Sequence, residues 1–171
     1  MINGKSVLRI IPARKGSERL LKKHTRLANK KPLIAWTIET AKKSKLLDRV
    51  VLSSDCEDII SLAKSYGCEV PFIRPNHLVT DNASSMSVIL NTLEKIKGYE
   101  IVILLQPTSP LRKENDIDTS IKSCKKNIKA CVSMTLVDQN PYWMYHVDKD
   151  GKYKPVIKNK NAIVFPLREY W

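Results

Sequence analysis

Three polar segments in this chain each follow an apolar run, and each carries side chains suited to holding an anion or a sugar. The first is Ala13-Arg-Lys-Gly-Ser-Glu-Arg-Leu-Leu-Lys-Lys-His24. Arg14, Arg19, Lys22 and Lys23 can clamp a phosphate there, and Gly16 lets backbone N–H groups approach one. Neither the Gly-Lys-Ser/Thr of a Walker A loop nor a Gly-x-Gly-x-x-Gly fingerprint occurs. Read by itself, the segment is better described as a solvated basic loop. The second is Arg74-Pro-Asn-His-Leu-Val-Thr-Asp-Asn-Ala-Ser-Ser85, which offers a guanidinium, amides and hydroxyls for base and ribose recognition. Ser84 or Ser85 also has the type and place of a helix cap. The third, Gln106-Pro-Thr-Ser-Pro-Leu-Arg112, holds neutral hydrogen-bonding groups between two prolines, with Arg112 as a possible anchor.

These segments need a frame that brings them to one edge. Val7 to Pro12 reads as a buried parallel strand, Arg49 to Ser53 as a second, residues 69–72 as a short third and Ile101 to Leu105 as the most apolar of all. Residues 130–135 read as a further strand. Between them lie helical patterns. Pro32 stands as a first helical residue before Leu33, Ile34, Ile38 and Ala41. Ser54 or Asp55 caps a helix carrying Ile59, Leu62, Ala63 and Tyr66 and stopped by Gly67. Met86, Ile89, Leu93 and Ile96 mark a third helix, ended by Gly98, and Ile117, Ile121 and Cys124 a fourth. Strand and helix alternating at this spacing predict a doubly wound α/β domain with a mostly parallel sheet. Ligands of such sheets bind beyond the carboxyl ends of the strands, where the three segments fall.

Residues 1–137 form this predicted core. Residues 138–171 lose the pattern and hold four of the six tyrosines and two of the three tryptophans. They read as an extended arm or hairpin pair, packed either on a second copy of the chain or on the chain's own domain.

Composition narrows the partners. The 171 residues carry 30 Lys and Arg against 17 Asp and Glu. Within residues 1–50 there are fourteen basic residues against Glu18, Glu39 and Asp48. Such an excess attracts phosphate in any form. A nucleic-acid module is disfavoured because no Phe, Tyr or Trp lies between Arg14 and Lys31 to stack on bases. No apolar run is long enough to span a bilayer, and the first residues lack a secretion signal, so a soluble, cytoplasmic chain is expected. Cys56, Cys68, Cys124 and Cys131 form no Cys-x-x-Cys pair and read as ordinary buried thiols.

Five stretches in register resemble the acylneuraminate cytidylyltransferases, the CMP-sialic acid synthetases and their bacterial relatives. They are Ile11-Pro-Ala-Arg-Lys-Gly-Ser17, Lys31-Pro-Leu-Ile-Ala-Trp-Thr-Ile38, Arg49-Val-Val-Leu-Ser53, the segment from Arg74-Pro75 to Ala83-Ser-Ser85, and Leu104-Leu-Gln-Pro-Thr-Ser-Pro-Leu-Arg112. The resemblance implies a nucleotide-diphospho-sugar transferase-like, Rossmann-type fold with a C-terminal dimerisation arm. It implies attack by the anomeric hydroxyl of an α-keto-acid sugar on the α-phosphate of CTP, with pyrophosphate leaving and Mg2+ present. By the same resemblance Arg14, Lys23 and Gln106 are the catalytic residues. Gly16, Ser17, His24, Arg74, Ser84, Ser85 and Thr108 join them around the nucleotide. Gln106, Thr108, Ser109 and Trp143 lie at the sugar.

The departures are specific. Ser17-Glu-Arg-Leu-Leu-Lys-Lys-His24 replaces a family Ser-Lys-Gly-Ile/Leu-Pro-x-Lys-Asn, keeping Lys23 and placing His24 where an asparagine is usual. Trp143 stands where the sialic acid enzymes carry a lysine. The family's late Asp-Ile-Asp, which holds the magnesium, has no counterpart at the end of this chain; Asp116 and Asp118 spell it inside a helix and read as surface residues. The chain reads as short relative to the family, so a weakly active or inactive nucleotide-binding member is an alternative, as is a relative acting on an eight-carbon keto-acid sugar.

Overall fold

The computed structural model describes residues 4–16, 20–46, 48–80, 82–124, 130–134, 136, 138 and 140–157. Ser17, Glu18, Arg19, Thr135 and residues 158–171, which the sequence reading used, lie outside them. The described residues divide into two compact units, one reaching Val132 and one beginning at Ser133.

In the first unit β1 (Val7–Pro12) lies between β4 (Arg49–Ser53) and β5 (Ile101–Leu104), parallel to both. Leu8 pairs with Arg49 on one side and with Val102 on the other. The short strands β2 (Leu27–Ala28) and β3 (Lys31–Pro32) make a separate antiparallel pair. Alternation along β1 sends its side chains to two helical layers. Val7 and Ile11 meet α1 (Leu33–Lys43), α2 (Glu57–Ser65) and α4 (Glu114–Ser123) through Ile34, Ile38, Ile59, Ile117 and Ile121. Leu8 and Ile10 meet α3 (Ser85–Lys95) through Ile89, Leu93 and Ile96. Helices on both faces of a parallel sheet are the doubly wound arrangement that the patterning predicts.

Several local expectations are corrected. Pro32 ends β3 and stands at the N-cap of α1 rather than opening it: its ψ of 139° is extended, so the helix starts one residue on. Residues 69–72 do not form a strand: only the isolated bridges Val51–Glu69 and Ser54–Ile73 survive, because Pro71 has no N–H to give a ladder. Residues 130–134 carry no strand either. Val132 and Met134 are exposed, and β-prone residues without a neighbour to pack on stay irregular. Among the described residues β5 has one ladder neighbour and is only half buried along its length.

Cys56, not Ser54 or Asp55, stands at the N-cap of α2, and the Ser54 hydroxyl accepts the Cys56 N–H at 3.2 Å. Gly67 does end that helix, at φ +72°. On α3 the buried stripe runs through Val88 and Thr92, which leaves Met86 61% exposed. Cys56 and Cys68 are buried as expected, and burial pushes the Cys68 thiol up to about 12. Cys131 is instead exposed.

The largest correction concerns Asp118. Asp116 is exposed and its carboxylate takes the Lys113 N–H at 2.8 Å, closing the first turn of α4. Asp118 is buried. Its carboxylate accepts from the Ser44 hydroxyl and from the Lys45 N–H at 3.2 Å, and Ser44 in turn accepts from the guanidinium of Arg9. Arg9 is fully buried on the central strand, between Val7 and Ile11. Burial raises the Asp118 pKa, but the bonds from Ser44, Lys45 and Leu46 and the charge of Arg9 outweigh it and hold the group ionised.

The second unit is an antiparallel hairpin of β6 (Tyr145–Val147) and β7 (Tyr153–Pro155), preceded by a short helical turn at Pro141–Trp143. Gly151 turns it at φ +75°, with its N–H bonded to the Asp148 carbonyl at 3.0 Å. Tyr145 and Tyr153 meet edge to face at 6.5 Å. Tyr145, Val147 and Tyr153 are exposed.

Candidate functional site

A cavity of about 230 Å³ opens past the carboxyl ends of β1, β4 and β5. Each of the three polar segments contributes to its wall. Arg14, Gly16, Lys23 and His24 come from the first, beside Pro12 at the end of β1, with Arg74, Thr80 and Ser85 from the second, and Gln106, Pro107 and Thr108 from the third.

The first segment is shaped before any ligand arrives. After Pro12 the Ala13 N–H still bonds the Ser53 carbonyl at 3.0 Å, and the Lys15 N–H donates to Asp55 at 2.9 Å. Arg14 reaches across to the second segment and donates Nη1 to the Val79 carbonyl at 2.9 Å. A Cβ added to Gly16 would lie 3.8 Å from that guanidinium, so the bare backbone faces the cation. Further on, Lys22 adopts φ +53°, and its carbonyl accepts from Thr25 and Arg26. That tight turn presents Lys23 and His24 to the cavity.

His24 is 7% exposed, its carbonyl takes the Ile34 N–H of α1, and its Nδ1 has no partner among the described residues. Burial, and then the charges of Lys23, Arg74 and Arg14, push the imidazole down to about 4, so it is neutral at physiological pH. Arg74 is buried and braces the end of β4, donating Nε to the Ser53 hydroxyl at 3.1 Å and Nη2 to the Ser53 carbonyl at 2.6 Å. Burial lowers its pKa while Asp55 raises it; a guanidinium stays charged regardless.

The two serines separate. Ser84 is the N-cap of α3, accepting the Ser87 N–H at 3.0 Å, whereas Ser85 opens the helix and lines the cavity. In the third segment the Gln106 carbonyl accepts from the Ser109 N–H at 3.2 Å and from Arg112 Nη2 at 3.3 Å. That turn leaves the Gln106 and Thr108 side chains exposed at the cavity, while Ser109 does not line it. Trp143 belongs to the second unit and is 44% exposed.

Asp55 and the Val79 carbonyl are supporting groups that the sequence reading missed. Asp55 had the look of a helix cap, and no residue pattern marks a carbonyl that a distant arginine will use. Among the described residues no three His, Cys, Asp or Glu side chains gather as metal ligands, and the cavity wall is cationic. These residues do not fit a magnesium site.

A parallel sheet wound on both faces, with cations collected past its carboxyl edge, defines a Rossmann-like α/β domain of the kind that handles phosphorylated ligands. The chain belongs to the cytidylyltransferase family, whose model, described as "Cytidylyltransferase", matches residues 8–167. It is 38% identical over 149 residues to a CMP-N,N'-diacetyllegionaminic acid synthase of Legionella pneumophila, an alignment spanning 85% of this chain and 64% of that protein. It is 40% identical over 116 residues to an N-acylneuraminate cytidylyltransferase of Escherichia coli, spanning 68% of this chain and 27% of that one. A Campylobacter jejuni pseudaminic acid cytidylyltransferase matches at 43% over 110 residues, 62% of this chain and 47% of its own. Thus the chain spans less than two thirds of the length of these relatives. Among solved structures, a CMP:2-keto-3-deoxy-manno-octonic acid synthetase complexed with CTP superposes with TM-score 0.63 at 23% identity, covering 71% of this chain and 48% of the other. A 4-diphosphocytidyl-2C-methyl-D-erythritol synthase from Anaerococcus prevotii superposes with TM-score 0.58 at 18% identity, covering 89% and 63%. These two likenesses establish the fold.

Proposed function

We propose that this chain binds CTP in the cavity and transfers CMP to the anomeric hydroxyl of a nonulosonic α-keto-acid sugar. The observation that carries the reading is that Arg14 and Lys23 from the first segment and Arg74 from the second line one cavity together with Gln106 and Thr108 from the third. The hydroxyl oxygen attacks the α-phosphorus, the bond from that phosphorus to the α,β-bridging oxygen breaks, and the hydroxyl proton passes to solvent. Negative charge grows on the departing pyrophosphate. Arg14 and Lys23 neutralise it, and Gly16 offers its backbone N–H at the same point. Ser85 and Thr80 face the nucleoside side, and Gln106 and Thr108 orient the sugar hydroxyl. Names of relatives that act on legionaminic, acylneuraminic and pseudaminic acids support the nine-carbon substrate class.

The exposed hairpin, with Tyr145, Val147 and Tyr153 open, supports a homodimer. The lack of a carboxylate cluster among the described residues favours a second reading, nucleotide binding without turnover. Pyrophosphate release, followed with CTP and a panel of eight- and nine-carbon keto-acid sugars, separates them. Release with a nine-carbon acid supports the main reading, release with an eight-carbon acid reassigns the sugar, and CTP binding without release leaves the second. If UTP or ATP bound as tightly as CTP, the cytidine reading would be wrong.

A further inference from the structure

We propose that the cavity takes its triphosphate as the metal-free anion, with Arg14, Lys23 and Arg74 occupying the role that a divalent cation usually fills. This rests on the reading of the cavity as a CTP site. Three permanent cations, two from the first segment and one from the second, converge there. Asp55 is the acid facing Arg74, but its Oδ1 is engaged by the Lys15 N–H and it does not line the cavity. Among the described residues no Asp or Glu lines the cavity, so none sets there the carboxylate that usually holds a magnesium ion beside nucleotide phosphates.

His24 reports the field inside. After burial, the repulsion that keeps its ring neutral comes from Lys23, Arg74 and Arg14, so a further positive charge is disfavoured at that point. Its unpartnered, buried Nδ1 adds a neutral group suited to a phosphate oxygen or hydroxyl. A magnesium–CTP complex carries two fewer negative charges than free CTP. It would bring its own cation against Lys23 and Arg14, losing attraction and gaining repulsion together.

Titration calorimetry of the full chain with CTP, in EDTA and then in excess Mg2+ at matched ionic strength, tests this. Binding is expected to be about tenfold tighter in EDTA, the size of one charge pair at a few ångströms in a partly solvated site. K23Q should lower the affinity in EDTA more than in Mg2+ and so shrink the difference. Equal or tighter binding with Mg2+ overturns the proposal. Inorganic pyrophosphate in the same two buffers separates the failures. If pyrophosphate prefers EDTA while CTP does not bind, the metal-free anion site stands and the nucleotide reading falls; if neither binds, both fall.

Discussion

Replacing His24 by asparagine should remove a specific part of the protein's acid sensitivity. An ordinary imidazole titrates near 6.5, whereas burial and three neighbouring cations hold this one to about 4. Above pH 6.5 neither the folded nor the unfolded ring binds a proton, so nothing is lost. Between the two values the unfolded chain takes up a proton that the folded chain refuses, and stability falls as the pH drops. Below about 4 both forms are protonated and the loss is complete. The gap corresponds to about 3.4 kcal/mol at 1.36 kcal/mol per pH decade. Water and mobile ions at the cavity mouth screen part of it, so about 2 kcal/mol is expected between pH 7.5 and 4.5. Urea unfolding at a series of pH values, extrapolated to water for both proteins, measures it. H24N should lose about 2 kcal/mol less than the parent over that range, with His77 and His146 common to both. If the two curves fall in parallel, the ring is not held neutral by its surroundings and the field argument for the cavity fails with it.

Asp118→Ala strands the buried Arg9 charge and the Ser44 hydroxyl, and should cost about 3–5 kcal/mol in urea unfolding. The double variant R9M/D118L should recover most of that; a single-variant loss below about 1 kcal/mol would show that the network holds nothing. Ser84→Ala should cost about 1 kcal/mol through the lost cap on α3 and leave CTP affinity unchanged. Ser85→Ala should do the reverse, weakening CTP binding with the urea midpoint kept.

Most of the cavity was legible because its residues are polar types placed just after apolar runs, and a parallel sheet puts such positions at one edge. Arg14, Lys23, His24, Arg74, Ser85, Gln106 and Thr108 all met there. The choice between Ser84 and Ser85 was not legible, since both types can cap and the entry angle of the chain decides which one does. Residues 69–72 showed the reverse problem. Apolar composition outweighed Pro71 in the reading, yet a single missing donor reduces a ladder to isolated bridges. Asp118 failed for a third reason. Its partners lie in a different helix end and on the first strand, and helical spacing by itself said surface. Long-range charge pairing leaves no local pattern to read.

The buried guanidinium of Arg9 has a consequence for how faithfully the sheet assembles. A slip of β1 by one residue would turn Arg9 toward Leu8's present neighbours, the apolar layer of Ile89, Leu93 and Ile96, and away from the Ser44 hydroxyl that now meets it. The correct pairing is therefore distinguished from its nearest competitor by an ion that only one face can accommodate. The same slip would displace Arg14, five positions along the chain, from the Val79 carbonyl it now reaches. A charge buried beneath the sheet thus acts as a proofreader for the cations at the cavity.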